Sequence, residues 1–124
     1  MAETVLVCVT GQKSSQRLIH KGAAIAKELG APLLVLSVSG SGLNHLDDPA
    51  VSQALNDLYR LSGEVGAEMT MLQHSDAHRA ICDFVHARGV THLVLGDSRP
   101  GQGSFIPQLM RSLPNVAFTI EPGM

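Results

Sequence analysis

The chain has 124 residues, a formal net charge of −2 and two cysteines, so it is sized for one domain with a core that needs no disulfide or metal staple. Hydrophobic residues make up 44% and aromatic residues only 3%, which leaves the core to Ala, Val, Leu and Ile and excludes a nucleic-acid surface of stacked aromatics on a basic stripe. No apolar segment approaches the roughly 20 residues that span a bilayer, and the opening MAETVLVCVTG lacks the charged head and cleavage site of a signal peptide; the expectation is a cytoplasmic domain, with no membrane and no nucleic acid among its partners.

TVLVCVT (4–10) is a continuous β-favouring run, the pattern of a strand covered on both faces. Ser14 or Ser15 then caps a helix in which Leu18, Gly22, Ile25, Ala26 and Leu29 recur at helical spacing, and Gly30 with Pro32 ends it. PLLVLSV (32–38) reads as a second buried strand and 39–48 as a loop. Asp48-Pro49 has the form of a helix start, and Val51, Ala54, Leu58, Leu61 and Val65 supply that helix's apolar face up to Gly66. AEMTMLQ (67–73) is a third strand, Ser75 or Asp76 caps a helix from Ala77 to Arg88, and Gly89 closes it. THLVLG (91–96) is the fourth strand, Ser104 to Ser112 a short helix, and VAFTI (116–120), fenced by Pro114 and Pro122, the fifth strand.

Three times a helix ends in glycine and runs straight into an apolar strand: ELGAPLLVL, EVGAEMTML and ARGVTHLVL. Strict alternation with short joints predicts right-handed crossovers and a doubly wound, three-layer α/β fold with a parallel sheet. Ligands in such sheets bind beyond the carboxyl ends of the strands, where the winding reverses. The loops expected at that edge are 10–15, 39–48, 74–76 and 96–103. In LVLGDSRPGQGSF (93–105) the backbone N–H groups of Gly101, Gly103 and Ser104 approach a helix N-terminus, and Arg99 offers charge, which together suit an anion. Set against this, Ser104 as a simple cap and Pro100 with the glycines as a simple turn explain the same residues. Beside them, Thr10 is a candidate for a base or ribose and Lys13 or Arg17 for a phosphate; the plainer reading there is a turn with solvated cations.

Cys8 and Cys82 each sit in an apolar pattern and are read as buried packing. His74 and His78 are four apart with a strand end and a capping residue between them, and the remaining histidines are scattered, so no metal is expected. Asp76 is read as a cap rather than a general base. No nucleophile elbow, Walker loop or catalytic Cys–His pairing is legible, and no enzymatic turnover is expected.

LIHKGAAIAKELGAPLLVLSV, AICDFVHARGVTHLVLGDS and the closing FTI resemble the universal stress protein family from about Val5 to Ile120. VCVTGQKSSQRLIHKGAAIAKELGAPLLVLSV and VTHLVLGDSRPG resemble most the universal-stress-like domain of the potassium-sensing histidine kinase KdpD, here expected as a stand-alone domain. The resemblance implies a five-stranded parallel sheet of order 3-2-1-4-5, the fold shared with adenine-nucleotide alpha hydrolases, and a homodimer through the last strand, with Val116, Phe118 and Ile120 as the candidate edge. It also implies an adenine-nucleotide site, for which the candidates are Val9, Thr10, Gly11, Val38, Gly96, Ser98, Arg99, Gly101, Gly103 and Ser104.

ATP-binding members carry a Gly-x-x-Gly…Gly-Ser/Thr loop after the fourth strand. Here Gly96 and Gly103-Ser104 match its ends, Arg99 replaces its middle glycine, and only six residues separate Gly96 from Gly103, about half of what the pattern has. Thr10 stands where those members have an acidic residue. The expectation is a signalling or stress-response module acting through protein contacts, with ATP or another adenine nucleotide, cyclic di-AMP among them, as its ligand. The rival expectations are an interaction module with a vestigial, nucleotide-free pocket and, more remotely, a slow nucleotide hydrolase.

Overall fold

A strand that is apolar along its whole length needs cover on both faces, and the sheet provides it. The computed structural model describes residues 3–9, 15–39, 49–73, 76–96 and 105–121. These form β1 (Val5–Val9), α1 (Ser15–Leu29), β2 (Leu33–Ser39), α2 (Pro49–Glu64), β3 (Glu68–Gln73), α3 (Ala77–Arg88), β4 (His92–Gly96), α4 (Phe105–Ser112) and β5 (Ala117–Glu121). The five strands pair in the order β3-β2-β1-β4-β5, every pairing parallel, as expected.

Successive side chains of a strand point to opposite faces, and this divides the core in two. Val5, Val7, Val9, Leu33, Val35 and Val94 pack on Leu18, Ile19 and Ala26 of α1 and Leu58 of α2. Leu6, Leu34, Leu36, Leu93 and Leu95 pack on Ile81 and Val85 of α3 and Leu109 of α4 on the opposite face. The two cores contain no buried aromatic ring, in keeping with the composition.

The recurrent helix–glycine–strand joint has one geometry at all three sites. Gly30, Gly66 and Gly89 have φ of 64°, 77° and 65°, the left-handed region that costs other residues energy. The next residue's N–H then reaches back five residues: Ala31 to Ala26 O (2.9 Å), Ala67 to Ser62 O (2.7 Å) and Val90 to Val85 O (3.0 Å). This is the Schellman closure, which satisfies a helix-end carbonyl and turns the chain into the next strand. At the other end of α3, Asp76 is the N-cap, its Oδ1 accepting from Arg79 N–H at 3.2 Å.

Element boundaries move by a residue from those read in the sequence. β5 starts at Ala117 rather than Val116 because Val116 N–H donates to Leu113 O (3.2 Å), closing the turn after α4. The ladder to β4 then begins with Ala117 N–H on Thr91 O at 2.9 Å. At the amino edge of the sheet, Thr4 N–H donates to Thr91 Oγ1 (3.0 Å), which in turn donates to Glu3 Oε2 (2.9 Å). His92 Nδ1 lies 3.1 Å from the same carboxylate, so the start of β1 is tied to the start of β4.

Candidate functional site

The winding reverses between β1 and β4, because β2 and β3 continue on one side of β1 while β4 and β5 lie on the other. At the carboxyl edge the two halves part. The β1–β4 ladder runs from Val5↔His92 to Val7↔Val94. The flanking ladders continue beyond it, β1–β2 to Val9↔Ser37 and β4–β5 to Gly96↔Glu121. Cys8, Val9, Leu95 and Gly96 thus extend past the last β1–β4 pair. This is the place where a doubly wound sheet accommodates a ligand.

On the α1 side of this crevice the structure brings together Val9, 3% exposed, and Gly96, both against Leu18. A Cβ on Gly96 would meet Leu18 Cδ1 at 3.3 Å, so even alanine there presses on the α1 side chain. Val38 lies on the next strand but packs against the α3/α4-face cluster, so it does not share a face with Val9. Thr10, Gly11, Lys13, Ser98, Arg99, Gly101, Gly103 and Ser104 lie outside the described residues, as do the loops 40–48 and 74–75.

Three contributors are not singled out by the sequence. Ser37, 4% exposed, pairs with Val9 and places a hydroxyl at the carboxyl end of β2. Glu121, paired with Gly96, lies 3.6 Å from the third, Lys21 of α1. Lys21 follows one turn after Arg17, the phosphate candidate, which is exposed on the first turn of the same helix. A signal for the cation is present: residues 4–27 contain no acid but carry Lys13, Arg17, Lys21 and Lys27. Of these, Arg17 and Lys21 stand on the amino half of α1, and Glu121 beside Lys21 offsets part of their charge.

Cys8 is half-buried against the α3/α4-face cluster, and burial pushes its thiol up from 9.0 to about 12. At neutral pH it is therefore a protonated packing group beside the crevice and not a nucleophile. Cys82 is also half-buried rather than sealed in the core. Cys82 Sγ lies 4.0 Å from His78 Nε2 on α3. The pair lies at the α3–α4 junction and involves no part of the crevice described above.

β5 is an edge strand. Of its candidate pairing residues, Val116 and Phe118 pack partly onto the α3/α4-face cluster, while Ile120 is 36% exposed. Among the described residues no helix is long and apolar enough to cross a membrane.

Comparison with known proteins gives a consistent picture. A sequence model described as the universal stress protein family matches residues 1–113. The sensor protein KdpD of Mycobacterium tuberculosis is 33% identical over 98 residues, 78% of this chain but 11% of that protein, so this chain spans only a small fraction of the relative's length. Two solved structures share the fold at low identity. A universal stress protein in complex with cAMP has a TM-score of 0.67 at 17% identity, covering 96% of this chain and 95% of the other. The universal stress protein from Archaeoglobus fulgidus in complex with dAMP has a TM-score of 0.64 at 17% identity, covering 98% and 97%.

Proposed function

The chain belongs to the universal stress protein family, and from that premise we propose that it binds an adenine nucleotide in the crevice between β1 and β4 and works as a cytoplasmic signalling module without turnover. The observation that carries this reading is the parting of the sheet: the central ladder stops at Val7↔Val94 while both flanking ladders continue to the edge. Its floor is Val9 and Gly96 against Leu18, with Arg17 and Lys21 on the amino half of the same helix. The cAMP and dAMP held by two proteins of the same fold support an adenine ligand.

The short loop between Gly96 and Gly103 favours a mononucleotide over ATP. A triphosphate needs more backbone N–H groups around it than this loop offers, and Arg99 occupies the place of a close-approach glycine. In the proposed pose the phosphate meets Arg99, the N–H groups of Gly101, Gly103 and Ser104, and the field of Arg17 and Lys21. Thr10, Gly11 and Ser98 complete the surroundings of the nucleoside, while Val38, on the other face of the sheet, stays outside them. The family reading also pairs two copies through β5, with Val116, Phe118 and Ile120 at the contact and a further signalling protein as the partner of the dimer.

The test is a thermal-shift series with AMP, cyclic AMP, ATP and cyclic di-AMP. Ligand at 100 times its dissociation constant stabilises a native state by about 2.7 kcal/mol, a shift of several degrees for a domain of this size. AMP or cyclic AMP is expected to give the largest shift, and Arg99→Ala to reduce it. Flat curves across the series would instead leave the nucleotide-free interaction module ahead.

A further inference from the structure

The α3–α4 junction, away from the crevice, gathers three side chains that no part of the nucleotide reading uses. His78 and Cys82 are four residues apart on α3 and therefore neighbours on one helix face. Cys82 Sγ lies 4.0 Å from His78 Nε2. Ser112, the last residue of α4, places its Oγ 3.0 Å from the same nitrogen, and Gln108 O is 3.4 Å away. All of these groups reach solvent: His78 and Cys82 are half-buried and Ser112 is exposed.

We propose that His78 and Cys82 ligate a single thiophilic metal ion, of the zinc(II) or cadmium(II) class, with Ser112 Oγ or water completing its coordination. A tetrahedral zinc bonded at about 2.0 Å to an imidazole nitrogen and about 2.3 Å to a thiolate separates those two atoms by about 3.5 Å. The observed 4.0 Å needs only a small side-chain rotation to meet this. Metal binding takes the tautomer with the ring proton on Nδ1, in which Nε2 gives up the Gln108 carbonyl and its lone pair, met by the Ser112 hydroxyl, is handed to the ion.

Electrostatics act on the thiol and on the ion in opposite ways. Burial raises the Cys82 thiol, the Ser112 hydrogen bond lowers it, and the carboxylates of Asp83 and Asp76 raise it further. Those two negative charges oppose a bare thiolate but favour a cation beside it. Binding exchanges one proton for the ion: the S–H bond breaks, an S–metal bond forms, and the proton leaves to solvent. Among the described residues no group of three or more His, Cys, Asp or Glu is placed to hold a metal. The site is therefore of the open, exchangeable kind and not a closed structural zinc centre.

The direct experiment titrates the reduced 124-residue chain with cadmium(II) and follows the ultraviolet cadmium–thiolate charge-transfer band. One equivalent is expected to produce the band in the wild-type chain, in Cys8→Ala and in His86→Gln. Cys82→Ser is expected to abolish it, and His78→Gln to weaken cadmium binding at least tenfold. On the wild-type chain, zinc(II) is expected to slow alkylation of Cys82, read by mass spectrometry, so the proposal does not depend on the variants folding. A band that persists in Cys82→Ser overturns the proposal. So does unchanged affinity in His78→Gln, which would leave only an ordinary exposed thiol, and so does alkylation of Cys82 that zinc does not slow.

Discussion

Gly22 of α1 lies so close to Val7 of β1 that a Cβ on the glycine would overlap Val7 Cγ2, with Leu33 Cδ1 3.2 Å away. The helix sits on the sheet at the one point where it has no side chain, and this depth brings Leu18 under Gly96 and Lys21 to Glu121. Alanine is the better helix former by about 1 kcal/mol, yet at Gly22 it must push α1 off the central strand. Gly22→Ala is expected to lower stability by about 1–3 kcal/mol, the usual range for overpacking, measured by urea denaturation. Gly63 is the control. It lies in α2, and a methyl group added there would find nothing within 4 Å, so Gly63→Ala is expected to stabilise by up to about 1 kcal/mol.

The Cys8 thiol gives the stability a pH dependence of known sign. Its folded value of about 12 lies above the ordinary 9.0, so between those limits the native chain keeps a proton that the unfolded chain has released. The contribution is complete below pH 9.0 and is lost as pH rises toward 12, at no more than about 1.4 kcal/mol per pH unit. Cys8→Ala removes this dependence. Denaturation curves across that interval are expected to show a shallower alkaline decline in the variant than in the wild-type chain; parallel declines would contradict the assignment.

Strand β5 offers a way to test pairing through the sheet edge without harming the sheet. Ala117 N–H points to β4, where it meets Thr91 O at 2.9 Å, so by alternation the N–H groups of Phe118 and Ile120 point away from the sheet. Proline at position 120 removes an outward donor and leaves the β4 ladder its own. Ile120→Pro is expected to convert a dimer into a monomer in sedimentation equilibrium while the circular dichroism spectrum stays native. A variant that associates as the wild-type chain does would place the interface elsewhere.

How much of this is legible in the sequence follows from the range of each interaction. The joints at Gly30, Gly66 and Gly89 depend on residues within one helical turn, so ELGAP, EVGAE and ARGVT announce them, and a helix from Ala77 to about Arg88 is legible. The parallel order follows from alternation and the family resemblance. The Lys21–Glu121 pair and the Glu3–Thr91–His92 tie are not legible, because they join residues that only the fold brings together. Gly22 reads as one member of an apolar helix face, whereas its role is to let β1 approach. The cysteines read as sealed because apolar neighbours in sequence do not reveal that Cys8 lies near a strand end and Cys82 beside α4. Of the candidate nucleotide residues only Val9, Arg17, Val38 and Gly96 fall among those described, and Val38 faces the other side of the sheet from Val9.

Amide-resolved NMR reads directly whether the parted carboxyl edge between β1 and β4 receives the proposed adenine nucleotide. Titration of the labelled chain with AMP is predicted to move the amide signals of Val9 and Gly96 together along one saturating curve. Thr4, Thr91 and His92, at the opposite edge of the sheet, are predicted to stay in place. Shifts confined to that opposite edge, or no shifts at all at saturating AMP and cyclic AMP, would contradict the account.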